Sequence, residues 1–177
     1  MDRLFLHVCC APCAAWPLEW FKAERPGLAL ELWFYNPNIH PRAEFCRRRD
    51  SLAYLAAHHQ LTADFSPPYE PRAFLAELAQ NPAPPERCRL CYAHRLQAAA
   101  RAAARRGHRY FSTTLTFSRQ QKHDLILEEG RRAATAEGLE FYYEDWRPGR
   151  RRGQELTRSL GLYRQTYCGC LFSQLEI

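Results

Sequence analysis

The chain has 177 residues, 46% hydrophobic and 25% charged, an ordinary globular composition with length enough for one sizeable core. No apolar run approaches the roughly 20 residues that span a bilayer, which excludes a transmembrane helix. Lys and Arg number 25 against 19 Asp and Glu, a net charge of +6, and only Lys22 and Lys122 are lysines, so the excess is arginine and points to an anionic partner.

Residues 4–8, LFLHV, predict a short buried strand ending in a cysteine cluster. A helix follows to about residue 24, with Pro17 in its first turn, where a missing N–H costs nothing. Residues 28–36 predict a second strand stopped by Pro37, and residues 42–60 a helix with Phe45, Leu52, Leu55 and Ala56 on one face. PPYEPRAFLAELAQNP predicts a shorter helix between prolines. A loop and a long Ala/Arg helix come next, ended by Gly107. Residues 109–116 predict a third strand, 119–137 a helix and 139–146 a fourth strand, before a last helix and an irregular end.

Strands alternating with helices predict an α/β fold: a mostly parallel, doubly wound, Rossmann-like sheet with flanking helices. Such sheets place sites at the carboxyl ends of their strands. Cys9, Cys10, Tyr35, Asn36, Asn38, Thr113, Thr114, Asp145, Trp146 and Arg147 all fall there. With no repeat and no low-complexity linker, residues 1–177 are expected to form one domain. No basic segment with a small-residue cleavage site opens the chain, so the expected address is the cytoplasm.

The eight cysteines cluster as Cys9-Cys10, Cys10-x-x-Cys13, Cys88-x-x-Cys91 and Cys168-x-Cys170, with Cys46 alone on a helix face as a small buried hydrophobe. Cytosolic thiols stay reduced, and these spacings favour metal capture over stapling. Cys88 and Cys91 lie on one face of a first helical turn. Cys168 and Cys170 reach a common centre when extended, with Gly169 permitting close approach. Adjacent Cys9 and Cys10 are expected to face different metal atoms. Four thiolates suit either a Cys₄ zinc site or a 4Fe–4S cluster, and spacing alone leaves both open. Cys10-Ala-Pro-Cys13 also fits a redox dithiol. The surplus of thiols beyond four implies either a second metal or redox-active sulfur beside a cluster.

Among other polar residues, Asn36 and Asn38 flank Pro37 and suit turn chemistry. The Thr113–Thr114 hydroxyls suit a strand or a phosphate or ribose. His7 reads as a core histidine, and His40 as an acid or base. Arg150, Arg151 and Arg152 suit either a solvated face or a grip on phosphates.

The ordered segments HVCCAPC, FYNPNIHPRAEF, ERCRLCYAHRL, FSTTLTFSRQQ, EDWRPG and LYRQTYCGCLFS resemble the QueH-type epoxyqueuosine reductases, from residue 7 to residue 173. The resemblance implies reduction of the epoxide of epoxyqueuosine, at the wobble position of a tRNA anticodon, to the alkene of queuosine, without cobalamin. It implies a 4Fe–4S cluster beside a mononuclear iron, with ligands from Cys9, Cys10, Cys88, Cys91, Cys168 and Cys170. Cys88, Cys91 and one of Cys9 and Cys10 are expected on the cluster, and the other with Cys168 and Cys170 on the iron. Some members carry an aspartate where this chain has Cys13, so Cys13 replaces that ligand or Asp145 reaches in. His40, Asp145 and Tyr167 are the expected proton donors. Expected substrate contacts are Tyr35, Trp146 and Tyr167 by stacking, Arg147 and Arg164 with the Arg150–Arg152 run on phosphates, and Asn36, Asn38, Thr113, Thr114 and Gln165. The implied partners are epoxyqueuosine-containing tRNA and an electron donor, and no membrane. Outside this family, a zinc-stabilised RNA-binding module and a thiol–disulfide oxidoreductase using Cys10 and Cys13 stand as alternatives.

Overall fold

The computed structural model describes residues 3–80 and 83–175, the side chains of 174 and 175 excepted. Its strands are β1 (Arg3–His7), β2 (Ala29–Trp33), β3 (Thr62–Asp64), β4 (Tyr110–Thr113) and β5 (Glu140–Phe141). They form one sheet in the order β3-β2-β1-β4-β5, and every pairing is parallel. The helices are α1 (Ala11–Glu24), α2 (Arg42–His58), α3 (Pro71–Ala79), α4 (Glu86–Arg105), α5 (His123–Glu137), α6 (Arg150–Ser159) and α7 (Leu171–Leu175). The expected doubly wound α/β architecture is present, with its switch point between β1 and β4.

The central strand explains the layering. Its residues alternate across the sheet: Leu4, Leu6 and Val8 pack with Leu18, Leu52 and Leu55 from α1 and α2. Phe5 faces the other way, onto Leu96 and Ala99 of α4 and Ile126 of α5. A strand buried on both faces reads as a continuous apolar run, which is why LFLHV is legible. No helix among the described residues is long and apolar enough to cross a membrane.

Several elements differ from expectation. Strand β3 is too short for a periodic signal. β4 ends at Thr113, whose side chain accepts the Leu115 N–H at 3.2 Å and turns Thr114–Phe117 into a 3₁₀ helix. β5 covers only Glu140–Phe141, so residues 143–146 are not strand. α1 begins at Ala11, which places Cys13 in its first turn and Pro17 inside it. The Pro17 ring cannot donate to the Cys13 carbonyl as a helical residue would. Pro82, expected to close α3, lies outside the described residues.

A buried ion pair fastens the C-terminal segment to this frame. Arg48 Nε donates to Glu44 Oε1 at 2.8 Å, and both side chains are only 2% exposed. The rest of the Arg48 guanidinium donates to the carbonyls of Cys168 at 3.1 Å and Tyr167 at 3.0 Å. Tyr163 O–H donates to Glu44 Oε2 at 2.6 Å, and His40 N–H to the Gly169 carbonyl at 2.9 Å. Gly169 sits at φ +103°, where a Cβ would lie 2.9 Å from Ile39 and 3.1 Å from Arg48, so only glycine fits.

Removing one partner of a buried ion pair strands the other. Arg48→Ala should therefore lower unfolding stability in urea by about 3 kcal/mol and speed proteolysis within residues 163–170. An unchanged urea midpoint would refute the fastening role.

Candidate metal centre

Three chain segments bring their thiols to one place. Cys9 and Cys10 occupy the connection from β1 to α1, Cys10 is the residue preceding the first helical turn, and Cys13 lies in that turn. The three Sγ atoms all lie within 4.8 Å of one another. A bend at Cys9 breaks the alternation that holds in an extended strand. Its Sγ therefore comes 3.8 Å from that of Cys10, so the adjacent pair shares one side of the chain. Tetrahedral coordination with metal–sulfur bonds of about 2.3 Å puts sulfurs about 3.8 Å apart, so this trio suits a single ion.

Cys88 and Cys91 lie in the first two turns of α4, and Cys168 and Cys170 on the segment fastened by Arg48. Electrostatic coupling joins Cys91 to Cys88 and Cys168, and Cys170 to Cys168 and Cys91. All seven thiols of the cysteine motifs line one cavity of about 200 Å³. Cys46 is half-buried against the core and does not line it.

Comparison with known proteins decides the family. A family model described as Epoxyqueuosine reductase QueH matches residues 4–176. A Dehalococcoides mccartyi protein named Epoxyqueuosine reductase QueH is 34% identical over 98% of this chain and 93% of its own length. Proteins of the same name from Thermotoga maritima and Staphylococcus epidermidis are 32% and 30% identical, over 99% and 98% of this chain and 92% and 77% of their lengths.

The chain belongs to the QueH family. Relatives in this family carry the name of a reductase, and the cysteine trio is a group that could hold a metal ion. The donor set fits one. Arg95, on α4, is 4% exposed, and the charges acting on it are Cys91, Cys9, Tyr92 and Cys168. Its Nε donates to the Cys91 carbonyl at 3.2 Å, and no carboxylate among the described residues pairs with it. A buried guanidinium needs anions beside it, and here only sulfur supplies them.

Proton placement follows from the same crowding. The Cys10 thiol beside Cys9 holds Cys9 far below the ordinary thiol range, whereas burial pushes Cys10 up and its neighbours push Cys13 up. Cys170 and the Ser173 hydroxyl, 2.9 Å from its sulfur, hold Cys168 at about 5 despite burial, and Cys170 is pushed up in exchange. Burial also raises Cys91. The two lowered thiols, Cys9 and Cys168, thus each stand beside raised ones.

Of the other expected site residues, Tyr167, Asn38 and Gln165 line the cavity. Gln165 Nε2 donates to Cys10 Sγ at 2.9 Å, while its Oε1 and Asn38 Oδ1 are buried acceptors without a partner. Tyr167 O–H donates to the His40 carbonyl, and Arg48 lies 5.3 Å over its ring. Thr114 Oγ1 accepts the Cys9 N–H at 3.2 Å. Thr113 is fully buried, and its hydroxyl donates to His7 Nδ1 at 2.8 Å. His7 is the satisfied core histidine expected, held neutral by burial with a pKa of about 4.

The remaining residues lie elsewhere. Trp146 is 1% exposed and packs on Trp20 and Phe21, too deep to stack on a base. Tyr35 stacks between Trp33 and His94. Asn36 donates to the Val8 carbonyl at 2.9 Å. His40 Nδ1 bonds Tyr69 at 2.9 Å, away from the cavity lining. Asp145 accepts two bonds from the Arg147 guanidinium, at 2.8 and 2.7 Å, and does not reach the sulfurs. Arg164 is exposed and stands in an adjoining cleft. Sequence reasoning missed Arg95 and Arg48. Their helical spacing was legible: Arg95 follows Cys91 by one turn, as Arg48 follows Glu44.

Metal needs thiolates, so binding must expel the protons of Cys10, Cys13, Cys91 and Cys170. Their raised pKa values make zinc affinity of the apo chain rise from pH 6 to 8, with protons released on titration in weakly buffered solution. Proton-free, pH-independent binding would contradict this arrangement.

Proposed function

We propose that this chain reduces epoxyqueuosine in the tRNA wobble position to queuosine, with the whole chain acting as one unit. Both C–O bonds of the epoxide break, two electrons and two protons enter, and an alkene and water leave. The observation that carries the reading is the meeting of seven thiols from three chain segments around one cavity beside a carboxylate-free buried Arg95. The name that the relatives carry supports the reaction class.

The close trio of Cys9, Cys10 and Cys13 would hold a mononuclear iron, leaving room for an oxygen ligand. The wider set of Cys88, Cys91, Cys168 and Cys170 would hold a 4Fe–4S cluster, whose size separates its thiolates more than one ion does. When bound, this pair supplies single electrons and a Lewis acid for the breaking C–O bond. Cys13 takes the place of the aspartate found in some members, because Asp145 is bound to Arg147.

The chain's own groups do the rest. Arg95 opposes the negative charge of the thiolates. Asn38 Oδ1 and Gln165 Oε1 offer acceptors to a polar substrate in the cavity. Tyr167 lines the cavity, whereas His40 and Asp145 do not, so it is the proton donor of the three expected. The tRNA substrate assigns the chain to the cytoplasm, with a reducing partner that delivers single electrons.

Anaerobic iron reconstitution, incubation with epoxyqueuosine-containing tRNA under reducing conditions and nucleoside analysis test the function. Queuosine should form, with more iron than acid-labile sulfide per chain; zinc alone in the purified protein and no queuosine would overturn the reading. Tyr167→Phe should slow turnover with iron content unchanged. Arg95→Met should lower metal affinity or activity about 10- to 100-fold, as loss of outer partners of metal ligands does.

A further inference from the structure

Next to the sulfur cavity lies a second cleft of about 230 Å³. The two share Cys13, Ser118, Gln120 and Gln165, so they are continuous through a polar boundary. Arg119, Arg150 and Arg164 line the second cleft, and no carboxylate does. They come from three places in the chain: the loop before α5, the first turn of α6 and the connection ahead of the Cys168 segment. All three are exposed, and none has a hydrogen bond, ion pair or ring contact with the described residues.

Close packing brings Arg150 there. A Cβ on Gly149 would lie 1.9 Å from the Trp16 ring, and one on Gly153 would lie 2.5 Å from Phe117. Without side chains at these two positions, the start of α6 rests against the start of α1, beside Pro12 and Cys13. The neighbouring arginines behave differently. Arg151 and Arg152 both reach Glu155 on the exposed side of α6, at 3.6 and 3.4 Å, and Arg147 is bound to Asp145. The arginine run is thus divided: one member faces the cleft and two are paired on the outer surface.

Three guanidinium groups lining one cleft without a carboxylate, beside the sulfur cavity, suit phosphate oxygens, whose paired geometry matches the guanidinium fork. Resting on the tRNA reading above, we propose that this cleft seats the backbone phosphates of a single RNA strand on either side of the modified nucleotide. The base is then splayed past Gln120 and Gln165 toward the sulfurs, as single-stranded loops are commonly read. Arg119, Arg150 and Arg164 act as positioning residues: they hold the strand and touch no reacting atom.

The test compares the iron-loaded chain with Arg119→Gln/Arg150→Gln/Arg164→Gln and with Arg151→Gln/Arg152→Gln, measuring affinity for epoxyqueuosine-containing tRNA across a salt series. At about 0.7 per phosphate contact on a single strand, the triple variant should flatten the slope of log affinity against log salt by about 2. Its iron content and cluster absorption should match the parent, and the double variant should keep the parent slope. An unchanged slope in the triple variant, with tRNA still reduced by the parent, would overturn the cleft and leave the reductase reading standing. If the parent binds tRNA but never reduces it, the reductase reading fails while a flattened slope still supports the cleft. Equal flattening by the double variant would assign the effect to general surface charge and overturn the proposal.

Discussion

The centre depends on opposite charges confined together out of water. Arg95 is buried with no carboxylate to face, and the groups within electrostatic reach are thiols of Cys9, Cys91 and Cys168 together with Tyr92. An isolated buried cation carries a penalty of several kcal/mol, so its presence implies that these sulfurs bear negative charge in the working protein. The sulfurs have the converse problem. Crowded thiolates repel, and the apo chain relieves this by keeping protons on Cys10, Cys13 and Cys170 beside the lowered Cys9 and Cys168. A bound metal would replace those protons as the neutralising charge.

Holding such a centre requires that distant segments meet with little freedom. The parallel sheet contributes the β1 connection, which carries Cys9 and Cys10, and the turn after β4, whose Thr114 fixes the Cys9 backbone at 3.2 Å. α4 presents Cys88, Cys91 and Arg95 from successive turns of one helix. The third segment has no strand to align it. Arg48 does that work, with Glu44 and Tyr163 behind it and the Tyr167 and Cys168 carbonyls in front. Because Arg48 is also in electrostatic reach of Cys10, the fastening and the centre share one charge system.

The same architecture sets two cavities of unlike lining side by side. The sulfur cavity is lined by thiols and a few amides, and its neighbour by arginines without acidic residues. Four residues belong to both, Gln165 among them, which touches Cys10 on one side and borders the arginine cleft on the other. The arginines are not used alike: Arg147 is paired with Asp145, and Arg151 and Arg152 share Glu155, whereas Arg119, Arg150 and Arg164 have no ion-pair partner among the described residues.

The α/β alternation, the buried strand LFLHV and the paired cysteines were legible in the chain because each is a local pattern: an apolar run, a helical period, a two- or three-residue spacing. The order of the cysteine motifs also carried the family. Other features were not legible, since they arise between segments far apart. Nothing local says that Trp146 is core and Arg119 surface, that Asp145 is held by Arg147, or that Cys9 and Cys10 share one side. The bend at Cys9 overrides strand alternation, and a two-residue β5 leaves no period to read. Sequence by itself determined which atoms are available as ligands and the fold that carries them. Tertiary structure alone decided that Cys9, Cys10 and Cys13 form a close trio and that seven thiols meet at one cavity, because bringing segments more than a hundred residues apart together depends on the sheet, the α4 face and the Arg48 fastening acting together.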